Sequence, residues 1–299
     1  MIITRTPLRI SFFGGGTDYP VWTKENSGAV LSTTIDKYCY ISIRYLPPFF
    51  EHKHRIVYSL IENVKSPDEI KHPVVNALFK LFKIDRGLEI HHDGDLPARS
   101  GLGSSSAFTV GMLNSLYALK GKIISKSELA KQAINLERDV LKENVGSQDQ
   151  VAVAHGGFNK IIFHNDHNFR LEPMTLQRER ISKLQTHLML IFTGFSRFAS
   201  EIAAEQIKNS MHKKRELTMI RQMVDHAVDI LNSNRNIIEF GKLLHEGWKL
   251  KKELSNKIST SAIDNLYEKA LSLGVVGGKL LGAGGGGFML LFVPPEKQK

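Results

Sequence analysis

Asp95-Leu96-Pro97-Ala98-Arg99-Ser100-Gly101-Leu102-Gly103-Ser104-Ser105-Ser106 is the segment from which the fold is best read. Directly after it, Ala107, Val110, Leu113, Leu116 and Tyr117 recur at helical spacing, which predicts a helix from about Ser104 to Leu119. Glycines let backbone N–H groups come close to a ligand. The first N–H groups of a helix lack partners within it and sit at its positive end, so a phosphate fits there. The serine hydroxyls add donors and are oxygen ligands of the kind that phosphate-bound Mg²⁺ takes. A Gly-Ser turn closed by a serine cap uses the same residues without any ligand, and taken alone the segment allows both. It is not a Walker A loop, because no Gly-Lys-Ser/Thr follows at the required spacing.

Three further segments carry chemistry. Gly282-Ala283-Gly284-Gly285-Gly286-Gly287 matches a dinucleotide fingerprint literally, but it leads into an expected strand, Phe288 to Val293, instead of opening a helix. Its glycines mark a backbone that approaches another loop or a ligand, or else a flexible turn. Near the N-terminus, Pro7-Leu8-Arg9-Ile10-Ser11-Phe12-Phe13 runs into Gly14-Gly15-Gly16-Thr17-Asp18, where a tight turn brings a carboxylate near a cation. Asp18 either accepts bonds from sugar hydroxyls or caps the turn. Ser125 and Glu128 have capping-box spacing and open a helix expected to reach Lys142 and to carry Glu137. Asp149 follows a glycine turn in Gly146-Ser147-Gln148-Asp149-Gln150, so the two carboxylates can face one cleft with different tasks.

The chain has 299 residues, 42% hydrophobic and 23% charged, values of a folded protein and not of a low-complexity tail. That length favours two intimately packed domains. A formal charge of +10 points to anionic partners without choosing among them. Cys39 is the one cysteine, which rules out an intrachain disulfide and fits a reducing cytoplasm. The first ten residues lack the apolar stretch of a signal peptide, and no apolar run approaches the roughly 20 residues of a membrane span. The first half reads as sheet-rich, with strands at Ala29–Thr34, Tyr38–Tyr45, Arg55–Ser59 and Leu88–His92 and a helix at Ser66–Phe82. After strands at Phe158–Phe163 and Leu188–Phe192, helices are expected at Ala199–Asn232, Ile237–Leu254 and Ser261–Leu273. His91-His92, with His164 and His167, lack a third ligand at metal-binding spacing.

These glycine-rich segments, in this order and with Pro97-x-x-x-Gly101-Leu102-Gly103-Ser104-Ser105 in the middle, resemble the GHMP kinase superfamily over nearly the whole chain. Within it, the segments at Arg9–Pro20, His91–Pro97 and Gly146–Gln150 are most similar to the branch that phosphorylates D-glycero-D-manno-heptose 7-phosphate at its anomeric hydroxyl, for surface polysaccharide. The resemblance implies an α+β, two-domain architecture. A ribosomal-protein-like N-terminal ATP-binding domain would span 1–165 and a ferredoxin-like C-terminal domain 166–299, with the active site in the cleft between them. It implies ATP and Mg²⁺ as cofactors and a small sugar phosphate as partner, in a cytoplasmic monomer or homodimer that binds neither nucleic acid nor membrane. By the same resemblance Pro97, Arg99, Ser100, Gly101, Leu102, Gly103, Ser104, Ser105 and Ser106 wrap the ATP phosphates. Ser104 or Ser105 and Glu137 hold Mg²⁺, Asp149 takes the proton of the attacking hydroxyl, and Arg9 stabilises developing charge.

Substrate contacts are expected from Gly14, Gly15, Gly16, Thr17 and Asp18, and from Gly284 and Gly285. Galactokinases have Glu-His where this chain has Gly15-Gly16, which argues against galactose. A sugar that already carries a phosphate needs a second anion site, for which Arg197, Lys251, Lys252 and Lys257 are candidates, although lysines on a helix are commonly a solvated face. The alternatives are a GHMP kinase for fucose or a hexose and, in another class, a basic nucleic-acid-binding protein. The scattered basic residues, with no aromatic-basic strip, count against the latter.

Overall fold

An 18-residue strand organises the larger sheet of the computed structural model, which describes residues 1–165, 168–194 and 199–298. Strand β1 (Ile2–Phe13) pairs antiparallel along β2 (Gly28–Tyr45). The other strands are β3 (His54–Val57), β4 (Ile61–Val64), β5 (Leu88–Gly94), β6 (Phe158–Phe163) and β7 (Phe169–Pro173), in the order β4-β3-β5-β2-β6-β7. One half of β2 bonds to β6 and the other to β5. The Thr33–Lys37 stretch between them reads as a break in sequence, yet β1 pairs with Thr34 and with Tyr38 on either side of a register shift and the strand runs on through it, so the two expected strands are one.

One helix boundary differs from expectation because a proline restarts the helix. The stretch Ser66–Phe82 is a short turn at Pro67–Glu69 followed by a helix from Pro73, since the residue before a proline avoids helical geometry. Strand β7 bonds to β6, so a division at 165/166 would cut off the last strand of the large sheet; we place it after Pro173.

The helices are α1 (Pro20–Thr23), α2 (Pro73–Leu81), α3 (Ser104–Leu119), α4 (Lys126–Ile134), α5 (Gln148–His155), α6 (Arg178–Thr186), α7 (Ala199–Asn209), α8 (Lys214–Asn232), α9 (Ile238–Glu253) and α10 (Ser261–Ser272). The single helix expected over Ala199–Asn232 is interrupted at Ser210–His212. A smaller antiparallel sheet has the order β8-β10-β9, from β8 (Leu188–Phe192), β9 (Gly277–Leu280) and β10 (Phe288–Phe292). Among the described residues, no helix is long and apolar enough to cross a membrane.

Aromatic packing joins the two sheets. Phe240 of α9, fully buried, meets the rings of Phe12 and Phe13 on β1 edge-on at 5.5 and 5.2 Å and reaches Phe292 on β10 at 6.3 Å. On α8, Leu217, Ile220, Val224, Ala227 and Leu231 recur every three or four residues and bury one face. Because the sheets share this core, Phe240→Ala is expected to cost about 3–5 kcal/mol. Urea unfolding should remain one transition by circular dichroism and by tryptophan fluorescence; two separated transitions would contradict a shared core.

Candidate active site

The two glycine runs meet backbone to backbone. Gly101 has φ +81°, and a Cβ there would stand 2.4 Å from the Leu281 carbonyl oxygen, while one on Gly282 would stand 2.8 Å from the Gly101 Cα. Phe288 N–H donates to the Ser100 carbonyl at 3.0 Å. The C-terminal run therefore fixes the loop in front of α3, which is the close backbone approach its composition implies. Gly103, with φ +75°, caps α3, and the free first-turn N–H groups of Ser104, Ser105 and Ser106 open toward a cavity of about 420 Å³.

Arg9 lies across from that helix end. β1 shifts register between Pro7 and Arg9, and the Arg9 N–H bonds to the Leu102 carbonyl at 2.9 Å. Its side chain, 3% exposed, donates Nε and Nη2 to the two carboxylate oxygens of Asp149 at 2.7 and 2.6 Å, and Nη1 to the Gly101 carbonyl at 2.6 Å. Such a fork fixes a carboxylate in both position and plane. A Cβ on Gly103 would lie 3.0 Å from Arg9 Cγ and 3.6 Å from Asp149 Oδ2, so the absent side chain leaves the room this pair occupies.

Asp18, 2% exposed, braces the neighbouring wall. Its carboxylate accepts from Gly16 N–H at 3.0 Å and from the Gln148 backbone and side-chain nitrogens at 3.1 Å each. Burial raises its pKa above the usual carboxylate range, with the nearby Asp149 charge adding to the effect and the N–H bonds opposing it. Beside it stand two lysines. Lys251 donates to Gln206 Oε1 at 2.8 Å and the Gly15 carbonyl at 3.3 Å, and burial pushes its pKa down to about 8. Lys279 donates to the Phe12 carbonyl at 3.0 Å, and burial, with the Lys251 and Arg9 charges, pushes it down to about 7.

Glu137 sits not on a regular helix but on a widened π-helical turn, Asn135–Val140, that continues α4. Such turns are frequent at functional sites. The side chain is 1% exposed; Oε2 accepts from Ser106 Oγ at 3.0 Å and from the Gln150 amide, while Oε1 is buried without a hydrogen-bond partner. Burial pushes its pKa up to about 7. A buried carboxylate oxygen without a donor, on the serine-bearing end of α3, fits Mg²⁺, which is commonly held by one or two carboxylates and by phosphate oxygens.

The cavity brings together Arg9, Gly15, Gly16, Asp18, Arg99, Gly101, Gly103, Ser104, Ser105, Ser106, Glu137 and Asp149. Other expected contacts lie elsewhere. Gly14 is pressed against Ala29, and Thr17 Oγ1 bonds to the Gly14 and Ala29 carbonyls, so both shape the turn and stay out of the cavity. Ser100 and Leu102 are buried behind the loop, and Pro97 precedes it; none of the three lines the cavity. Gly284 packs on the Ile258 backbone and Gly285 N–H bonds to the Ile258 carbonyl, whereas Gly282 and Ala283 are the members of that run that line the cavity. Lys252 pairs with Asp264 and Lys257 with Glu205, as expected of a solvated face, but Lys251 turns inward. Arg197 and His167 lie outside the described residues. Lys279 was not expected: its strand begins Gly277-Gly278 and lacks the β-branched signature.

Comparison with known proteins identifies the architecture. The profile of the GHMP kinase N-terminal domain matches residues 69–157, and that of the GHMP kinase C-terminal domain matches 227–299. The chain belongs to the GHMP kinase family. Among GHMP kinases it is 29% identical over 308 residues to a D-glycero-alpha-D-manno-heptose 7-phosphate kinase of Campylobacter jejuni, covering 99% of this chain and 91% of that one. It is also 29% identical to a galactokinase of Pyrococcus furiosus, covering 100% of this chain and 90% of that one. A solved D-glycero-D-manno-heptose 1-phosphate kinase from Bacteroides thetaiotaomicron has the same fold, with a TM-score of 0.77 at 24% identity over 100% of this chain and 90% of that one. As a GHMP kinase the protein is an enzyme that takes a nucleotide substrate.

The buried Glu137 gives this kinase a pH signature without any ligand. Its folded-state pKa of about 7 exceeds the ordinary 4.5, so between those values the folded protein holds the proton more tightly than the unfolded chain. Stability drawn from this group is therefore complete below about pH 4.5 and is lost as pH rises through about 7, by roughly 3 kcal/mol. Urea unfolding of wild type and Glu137→Gln in EDTA should show the variant gaining on wild type by that order between about pH 5 and pH 8. A difference that does not change with pH would contradict it.

Proposed function

We propose that this GHMP kinase transfers the terminal phosphoryl group of ATP to the anomeric hydroxyl of D-glycero-D-manno-heptose 7-phosphate, giving the 1,7-bisphosphate for GDP-heptose formation in the cytoplasm. The observation that carries the reading is the Asp149 carboxylate, clamped by Arg9 close beside Gly103 and lining the cavity into which the α3 N-terminus opens. The choice of sugar rests on the heptose 7-phosphate kinase relative, which is matched over 91% of its length.

Phosphoryl transfer runs through a loose transition state in which the protein mainly positions groups and neutralises charge. The N–H groups of Ser104–Ser106 and the glycine backbone hold the terminal phosphates against the positive end of α3. Glu137, together with Ser104 or Ser105, would hold Mg²⁺, and Ser106 and Gln150 fix the orientation of that carboxylate. Bound there, Mg²⁺ would supply neutralisation of the triphosphate charge. Asp149, 27% exposed toward the cavity, accepts the proton of the attacking hydroxyl. Each carboxylate oxygen has two acceptor positions, so the Arg9 bonds leave room for that proton. An anomeric hydroxyl is more acidic than an ordinary alcohol, which suits a carboxylate base acting late in the transfer. Asp18 keeps an acceptor position for a sugar hydroxyl, and the absence of side chains at Gly15 and Gly16 leaves space for a seven-carbon chain.

Phosphorus NMR of reactions with ATP, Mg²⁺ and a panel of heptose 7-phosphate, unphosphorylated heptose, L-fucose and D-galactose tests this directly. L-Fucose belongs in the panel because a bifunctional fucokinase/GDP-fucose pyrophosphorylase of Arabidopsis thaliana is 27% identical, covering 98% of this chain and 30% of that one. A new anomeric phosphate on the heptose 7-phosphate is expected; turnover of L-fucose or D-galactose in its place would overturn the heptose assignment. Asp149→Asn is expected to lower kcat by about 10²- to 10⁴-fold with nucleotide affinity held within about twofold. Near-normal kcat would remove Asp149 from the base role.

A further inference from the structure

We propose that Lys251 and Lys279 form a phosphate-monoester subsite that holds the phosphate already present on the acceptor, and that this subsite makes the enzyme select phosphorylated over unphosphorylated sugars. The proposal rests on the kinase reading above and names the acceptor class of the same cavity. Lys251, 9% exposed, reaches from α9 beneath the Gly14–Gly16 turn, and Lys279 reaches from β9 beside it. Both line the cavity that contains Asp149, and both also line a smaller recess formed with Phe13, Gly14 and Gly15.

Their partners are all neutral oxygens: the Gly15 and Phe12 carbonyls and the Gln206 side chain. Neither ammonium forms an ion pair with a carboxylate among the described residues. The two nearest acids are otherwise engaged, Asp149 with Arg9 and Asp18 with three N–H donors. Buried cations in proteins are paired as a rule, and two side by side repel one another. Burial lowers both lysines, the Lys251 and Arg9 charges lower Lys279 further, and only the Asp18 charge opposes the shift at Lys251; a dianion between the two ammonium groups relieves these costs. The position also separates two phosphate sites by chemistry. Backbone N–H groups at α3 suit the triphosphate, while two point-charge ammonium groups on the Gly15–Gly16 side of the cavity suit a terminal phosphate ester on a long, flexible sugar. Gly16, with φ +108°, gives the turn beside Lys251 a backbone conformation that side-chain-bearing residues rarely adopt.

The test is calorimetric titration of wild type, Lys251→Met and Lys279→Met with heptose 7-phosphate, the same heptose without phosphate, inorganic phosphate and a non-hydrolysable magnesium nucleotide. Circular dichroism checks folding, and Lys251→Arg and Lys279→Arg keep the charge should a methionine variant fail to fold. Wild type is expected to bind the phosphorylated sugar at least about 10-fold tighter than the unphosphorylated one, and each methionine variant to lose roughly 10- to 100-fold in affinity for it. Nucleotide affinity should stay within about twofold, and each arginine variant should recover part of the loss. Loss of nucleotide binding in place of sugar-phosphate binding would assign the lysines to the triphosphate and overturn the subsite. So would a preference for phosphorylated sugar that survives both substitutions. If wild type binds neither heptose, the heptose assignment falls. The subsite then stands if inorganic phosphate binds in a lysine-dependent way, and falls if it does not.

Discussion

One buried guanidinium binds together segments 92 and 140 residues apart from it in sequence, the Gly101 carbonyl and the Asp149 carboxylate. The Arg9 backbone holds Leu102, its side chain holds the loop in front of α3, and the same fork orients the carboxylate on α5. A buried charge deprived of its partner costs about 3–5 kcal/mol, so the three segments keep their relative positions as long as the pair is intact. The contact of Gly101 with Gly282 closes the arrangement from the opposite side by forbidding any side chain where the two backbones touch.

The remaining electrostatics are asymmetric. Arg9 is neutralised internally, Glu137 has one oxygen without a donor, and Lys251 and Lys279 hold charge against neutral oxygens. The Glu137 oxygen and the two lysines are unfavourable in the unliganded protein and become favourable when an ion of opposite sign arrives. A fold with a shared aromatic core can carry such local costs, because the strain is confined to the cavity wall while Phe12, Phe13, Phe240 and Phe292 lock the sheets elsewhere. Binding free energy then appears as added stability of the liganded state.

The sequence makes the loop and helix at Gly101–Leu119 legible because glycine spacing and helical periodicity are both local signals. The Arg9, Asp149 and Glu137 constellation is legible through the family resemblance, since nothing local places residues so far apart in one cavity. Where reading by local pattern fails, a tertiary cause is visible. β2 runs through Thr33–Lys37 because β1 pairs with it on both sides of a register shift, and the helix through Glu137 widens into a π turn that no residue type announces. Gly284 and Gly285 look like ligand contacts by composition but serve packing on Ile258. Lys279 escapes notice because its strand is half glycine, whereas Lys251 is among the sequence candidates but is not told apart there from Lys252 and Lys257, which pair with Asp264 and Glu205.

A crystal structure with a non-hydrolysable ATP analogue, Mg²⁺ and the acceptor sugar tests the central claim most directly. The account predicts the terminal phosphate against the N–H groups of Ser104–Ser106, with the acceptor hydroxyl between it and the Asp149 carboxylate, within hydrogen-bond reach of about 3 Å. A nucleotide bound away from that helix end, or an acceptor hydroxyl turned away from Asp149, would contradict it.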